Sequence, residues 1–416
     1  MLLLRVLTFF PSINFGLIRA EIFPWATLYA LLTFRSLNVR LLCIVALLIV
    51  SLAIAALDTN FIYFSEQFRS LAAYINPILV FFAILSARSI EVRRLVLLID
   101  RILIFLLILG FLQLFGFLFF LENFIVSMIP RGSAESLQNI GRGVTLLSTE
   151  PSRAGYELLF VYAAWRCLSH RGFRFHMMLD AFIFVYLLTV IQSALSIYLA
   201  ILYFFVLYIN HYRVSIVVAI IFLISIYLAD TRASSLLIGL LDHDDFVGVY
   251  RFLINASGFR LASIVSSYQY SIESIFGGGV GLWQISSIVA LRDAGFQAND
   301  ISYFMFRGEG DLFSIRPTSY AANLALDTGI VGLVVFLVLM GKYFFDLRRF
   351  ADHDSNAFIV LFLFSFFFIG SVGNPVPWAL FAILLRRLGG QSIPQSFEIS
   401  GRADNLSSSK KSYSMV

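Results

Sequence analysis

Long apolar runs broken by short polar clusters extend from the first residues to about residue 388. The stretch "ILIFLLILGFLQLFGFLFFL" (102–121) is apolar on every face, which excludes both the one-sided stripe of a soluble surface helix and the strict alternation of a barrel strand. A bilayer core of about 30 Å needs roughly 20 such residues per crossing helix. By this measure the pattern predicts spans near 1–16, 20–34, 41–57, 69–86, 95–121, 154–168, 177–191, 194–209, 214–229, 319–341, 357–373 and 376–388. Backbone groups in lipid are satisfied within helices, so the expected fold is an all-α polytopic membrane protein of about 12 transmembrane helices.

Composition agrees with the pattern. Of 416 residues 60% are hydrophobic and 13% charged, and the mean hydropathy of +0.88 excludes an ordinary soluble enzyme. "MLLLRVLTFF" has the character of a signal sequence, but no small-residue cleavage site follows, so it reads as a retained first helix. Cys43 and Cys167 fall in or beside predicted spans, away from polar clusters, and suggest neither a disulfide framework nor a metal site.

Charge orients the chain. The net charge of +5 comes almost wholly from arginine, and basic residues gather in alternate connections: Arg35 with Arg40, Arg88 with Arg93 and Arg94, Arg171 with Arg174, Arg213, Lys342 with Arg348 and Arg349, Arg386 with Arg387. The positive-inside rule places these connections and both termini in the cytoplasm. Two polar segments, 122–153 and 230–318, then fall together on the opposite, periplasmic side. The domain organisation expected is one transmembrane domain, 1–388, followed by a Ser/Gly-rich disordered cytoplasmic tail, 389–416.

Polar residues at the ends of spans carry the candidate chemistry. "LLSTEPSRAG" (146–155) reads locally as a helix start, with Ser148 or Thr149 as cap and Pro151 early in the helix, where its missing N–H costs nothing. That account leaves over Arg153, which beside Glu150 at a helix mouth is suited to hold an anion. Upstream, "NIGRGVTLL" sets Arg142 between two glycines. In the long loop, "SGFRLAS" places Arg260 at the start of a helix expected to lie at the membrane surface, and "SIFGGGVGLW" closes it with a glycine-rich stretch that fits neither nucleotide-binding pattern. "SIRPTSYAANLALDTG" brings Arg316 to the mouth of a late span, with Asn323 and Asp327 inside it, where polar groups are costly unless paired or functional. The acids Asp230, Asp242, Asp244 and Asp245 lack calcium-loop spacing, and His211 and His243 are isolated, so neither a metal nor a cofactor is expected.

In this order the motifs resemble the superfamily of bacterial O-antigen polymerases (Wzy) and O-antigen ligases. "EPSRAG" is similar to the Glu-Pro-Ser element of the polymerases; "GFRLASIVSSYQYSIESIFGGGVGLW" to the arginine, helix and glycine element; "SYAANLALDTGIVGLVVFLV" to the element opening a late span. The ligases carry a histidine just before the last element, and none stands in "RPTSYAANLALDTG", which favours the polymerase branch. The resemblance implies an enzyme of the inner membrane with its site facing the periplasm, joining undecaprenyl-diphosphate-linked repeat units with inversion and without a nucleotide sugar. Donor and acceptor are both lipid-linked glycans, and a chain-length regulator and a flippase of the same pathway are further candidate partners; no nucleic acid is involved. It implies catalytic roles for Glu150, Arg153, Arg260 and Arg316, and diphosphate or glycan binding by Arg142, Asn323 and Asp327. A ligase acting on lipid A core and a transporter remain the alternatives, the latter disfavoured by the absence of matched halves.

Overall fold

The computed structural model describes residues 1–13, 23–59, 61–129, 143–169, 171–210, 245–256, 259–308, 310–349 and 352–391. Among these, every regular element is helical. The helices are α1 Leu2–Thr8, α2 Pro24–Thr33, α3 Val39–Asp58, α4 Phe64–Ser86, α5 Ser89–Leu114, α6 Glu122–Met128, α7 Pro151–Leu168, α8 Phe173–Tyr186, α9 Ala194–Tyr208, α10 Phe246–Ala256, α11 Arg260–Glu273, α12 Trp283–Asp293, α13 Ser302–Arg307, α14 Tyr320–Arg349, α15 His353–Phe368 and α16 Val376–Gln391.

Among the described residues five helices are long and apolar enough to cross a membrane: α3, α4, α5, α8 with the π turn Leu187–Ile191 that continues it, and α14. The shorter α9 and α15 are apolar as well. These mark a helical membrane protein. Local signals set several starts: the Asn38 side chain accepts from the Arg40 amide at 2.9 Å and Asp352 from the Ser355 amide at 2.9 Å, while Pro24 and Pro151 open α2 and α7.

At the centre stands α7, buried almost all round against α5, α9, α15 and α16. Small residues let its neighbours approach; a Cβ on Gly155 would strike the Ser196 side chain of α9. Its far end is locked by charge. Arg166, 4% exposed, lies 2.7 Å from Asp180 of α8 and 3.3 Å from Asp354 of α15, and the Tyr162 and Tyr208 hydroxyls donate to the same Asp180. Arg5 holds Glu91 in a second ion pair, with the Arg5 Nη2 bond at 2.8 Å.

Helices α10 to α13 build a smaller core of their own from Ile254, Ala262, Leu291, Ile301, Phe304 and Ile315. This unit docks on α14 through α11, whose buried face is small and polar: Ala262, Ser263, Ser266, Ser267 and Ser271.

Several expectations change. A span over 1–16 is replaced by the short α1, ending at Thr8. The helix after Arg260 forms and packs on α14, where the serine side chains on its inner face bond to carbonyls of their own helix and let α14 come close. Neither Ser148 nor Thr149 caps α7: Glu150 occupies that position, without a side-chain cap bond. The last helix runs to Gln391, past the expected boundary at 388. The span near 214–229, His211, His243, Asp230, Asp242, Asp244 and Arg142 lie outside the described residues, as do 392–416 of the tail.

Candidate functional site at the mouth of the central helix

A buried, non-helical segment delivers Glu150. Residues Val144, Thr145, Leu146 and Ser148 are all buried, and protein groups bond to the Val144, Leu146 and Ser148 amides. The Gln113 side chain of α5 clamps Leu146 from both directions, accepting from its amide at 2.8 Å and donating to its carbonyl at 2.7 Å. Nearby, the Val144 amide donates to the Val190 carbonyl in the π turn at 3.1 Å. Leu146 takes a left-handed conformation (φ 52°) to make this turn.

Ser148 does not cap but reaches sideways. Its hydroxyl donates to Glu157 Oε2 at 2.7 Å, and Asn374 donates to Glu157 Oε1 at 3.2 Å. Glu157, 7% exposed, thus ties the segment before α7 to the turn between α15 and α16. Sequence reasoning passes over this residue because "YELLF" looks uniformly apolar, although an acid inside a span is itself a signal.

Freed from capping, Glu150 turns to the loop unit. Arg260 Nη2, at the first position of α11, lies 3.3 Å from Glu150 Oε1 and 3.5 Å from Oε2. One turn along α7, the Arg153 guanidinium makes no hydrogen bond or ion pair among the described residues, and it lies within electrostatic reach of Glu157. The arrangement is therefore a solvent-open pair of Glu150 and Arg260 at the N-terminus of α7, with the Arg153 guanidinium on the next turn of the same helix.

Arg316, Asn323 and Asp327 form a second group. Arg316 Nε donates to Asn323 Oδ1 at 3.0 Å, and the Asn323 amide donates in turn to the Pro317 and Ser319 carbonyls, both at 2.6 Å. With its groups so committed, Asn323 holds Arg316 in place rather than offering bonds of its own. Asp327 Oδ2 accepts from the Tyr74 hydroxyl at 2.9 Å and the Gly281 amide at 3.3 Å. Arg316 lies within electrostatic reach of that carboxylate.

The glycine-rich element explains itself here. α14 breaks at Gly329 (φ 66°, ψ −173°), and the Gly278 and Gly279 amides donate to the Leu326 and Asp327 carbonyls, each at 2.8 Å. Gly277 and Gly329 approach so closely that a Cβ on either would collide with backbone of the other segment. Two motifs far apart in sequence therefore meet as one backbone contact.

A small pocket is lined by Tyr156 from the helix of the first group, Tyr320 from the helix of the second, and Ser365, Phe366, Asn374 and Trp378. Among the described residues no cluster of metal-binding side chains occurs. No family model, curated protein or solved structure matches the chain.

Proposed function

We propose that this protein polymerises lipid-diphosphate-linked oligosaccharide repeat units at the outer face of a bacterial inner membrane. The observation that carries the reading is the meeting of Glu150 and Arg260, from two motifs that resemble those of the polysaccharide polymerases, beside the uncommitted Arg153. Two guanidinium forks at a helix mouth suit a diphosphate, which they bind in pairs of hydrogen bonds without a metal. In this reading the chain crosses the membrane about twelve times, and 122–153 and 230–318 face the periplasm.

In the reaction the acceptor sugar hydroxyl attacks the anomeric carbon of the donor glycan. The bond from that carbon to the diphosphate oxygen breaks, its electron pair leaves with undecaprenyl diphosphate, and the anomeric centre inverts. Arg153 and Arg260 stabilise the departing charge. Glu150 orients Arg260 before the donor arrives; once Arg260 turns its donors to the diphosphate, Glu150 is a carboxylate free to receive the hydroxyl proton. Arg316, held by Asn323, supplies a further cation to the donor.

Deleting the gene in its host and resolving the envelope polysaccharide on a gel tests the reading. A polymerase gives loss of the ladder with a single repeat still attached to core, and an Arg260→Ala chain fails to restore it. Loss of every attached repeat with lipid-linked polymer accumulating would indicate a ligase instead, and an unchanged pattern would overturn the proposal.

A further inference from the structure

The glycine tip that follows α11 passes below the mouths of the helices it touches. Its backbone pairs with α14 at Leu326 and Asp327, and the Val331 amide reaches the Ile275 carbonyl at 3.4 Å, beyond the break at Gly329. At 1.5 Å per residue, Gly329 lies about 13 Å along α14 from its first residue, Tyr320. On the other side Gly279 abuts Ala55, and Ser51 donates to the Asp327 carbonyl at 3.1 Å, so the tip lies level with the last two turns of α3. That helix, Val39–Asp58, is about 30 Å long, the thickness of a bilayer core. If α3 crosses the membrane, its last two turns are within lipid, and so is the tip.

The apolar side chains at this level match that placement, while the exposed Glu273 among them accepts a bond from the Gln269 amide at 3.2 Å. Phe276 is 75% exposed, Ile272 69% and Ile275 52%, beside the outward Val331, Val334 and Val335 of α14. Across the tip, Phe61 and Ile62 of the α3–α4 turn and Phe64 and Phe68 at the start of α4 are exposed too, and the Gln284 amide holds the two parts together by donating to Glu66 at 2.9 Å. An apolar patch of this kind on a soluble loop unit is a liability, whereas continuous with the outward faces of two spanning helices it is a lipid contact. Non-helical backbone at that depth is tolerated because protein satisfies it, as the four glycine-tip bonds from Gly277, Gly278, Gly279 and Gly281 do here.

We propose that the Ile272, Ile275 and Phe276 side chains insert into the acyl region of the membrane and seat the loop unit there, the partner being lipid rather than a second protein. The anchor occupies one end of α11 while Arg260 occupies the other, so the same rigid helix joins the lipid contact to the mouth of α7. The inference stands on the membrane-spanning helices and not on glycan transfer.

Spin labelling tests it on the full chain reconstituted in phosphatidylcholine–phosphatidylglycerol nanodiscs, with Cys43 and Cys167 replaced by alanine. Single labels at Phe276→Cys and Ile272→Cys are compared with Val334→Cys, on the outward face of α14, and Asp311→Cys, exposed on the loop unit. Insertion gives oxygen and nickel-chelate collision rates that follow the Val334 label. Rates that follow the Asp311 label would place the tip in water and overturn the proposal. Suppression of both collisions would mean that a protein surface or second copy covers it, and would overturn it equally. Two label positions keep the result readable should one variant accumulate poorly.

Discussion

Arg260 and Glu150 stand 110 positions apart in the chain, yet the guanidinium of one lies 3.3 Å from the carboxylate of the other at the mouth of α7. Both side chains are more than one third exposed, and a pair so open to water contributes less than about 1 kcal/mol to stability. The proximity therefore matters for what the groups bind. Glu150→Gln is expected to leave the thermal midpoint of the purified protein unchanged while polymer is lost; a chain that merely fails to accumulate would return Glu150 to a structural role. Arg260→Lys keeps the charge but not the fork, and is expected to lose most polymer as well. Normal chain length from that variant would sink the bidentate role.

Arg153 and Arg166 sit on the same helix and should behave oppositely. Arg153 makes no hydrogen bond or ion pair among the described residues and acts on Glu157 only at a distance, so Arg153→Ala should fold normally and lack activity. Arg166→Ala leaves Asp180 and Asp354 buried without their cation, at a cost of about 3–5 kcal/mol. Thermal unfolding in detergent, run on both variants, separates the two roles.

Glu157 accepts one bond from Ser148 and one from Asn374, whose own carbonyl oxygen is already occupied by the Val376 amide at 3.0 Å. In Glu157→Leu the Ser148 hydroxyl and the Asn374 amide both lose their acceptor. A loss of about 2 kcal/mol is expected, the cost of a buried polar group left unpaired. Glu157→Gln keeps a carbonyl oxygen for Asn374, and the rotatable Ser148 hydroxyl can accept from the new amide, so it should lose much less. Equal stability of the two variants would remove Glu157 from its bridging role.

Gly277 and Gly329 both have positive φ, 74° and 66°, and face each other's backbone. Gly329→Ala should cost about 2 kcal/mol or more, because the left-handed conformation and the collision with the Ile275 carbonyl add. Protease sensitivity of the 274–281 segment should rise with it. An alanine tolerated at both positions would show that the tip does not pack as described.

The parts of this architecture legible in sequence are those with a local signature. Pro151 marks the start of α7, Arg260 the start of α11, and the glycine-rich and "LDTG" elements are recognisable separately. What sequence does not disclose is pairing. Gln113 looks like an isolated amide in an apolar run, and only the fold shows it clamping Leu146. Asn374 and Glu157 carry no mark of each other across more than two hundred residues. Ser148 is misread as a cap because cap preference is a statement about the nearest amides, while its hydroxyl is claimed by a carboxylate two turns into the helix. The break in α14 is likewise hidden, since hydropathy records length and not direction.

The Ser148–Glu157–Asn374 bridge also bears on how the molecule is made. Helices are synthesised and inserted from the N-terminus, and the Asn374 side chain belongs to the turn before the last helix, α16. Until that turn leaves the ribosome, Glu157 is a buried acid lacking one of its two partners, and the segment carrying Glu150 lacks its final brace. The mouth of α7 therefore receives its last brace late, so a chain interrupted before its last two helices holds every motif but not the bridge that fixes the segment carrying Glu150.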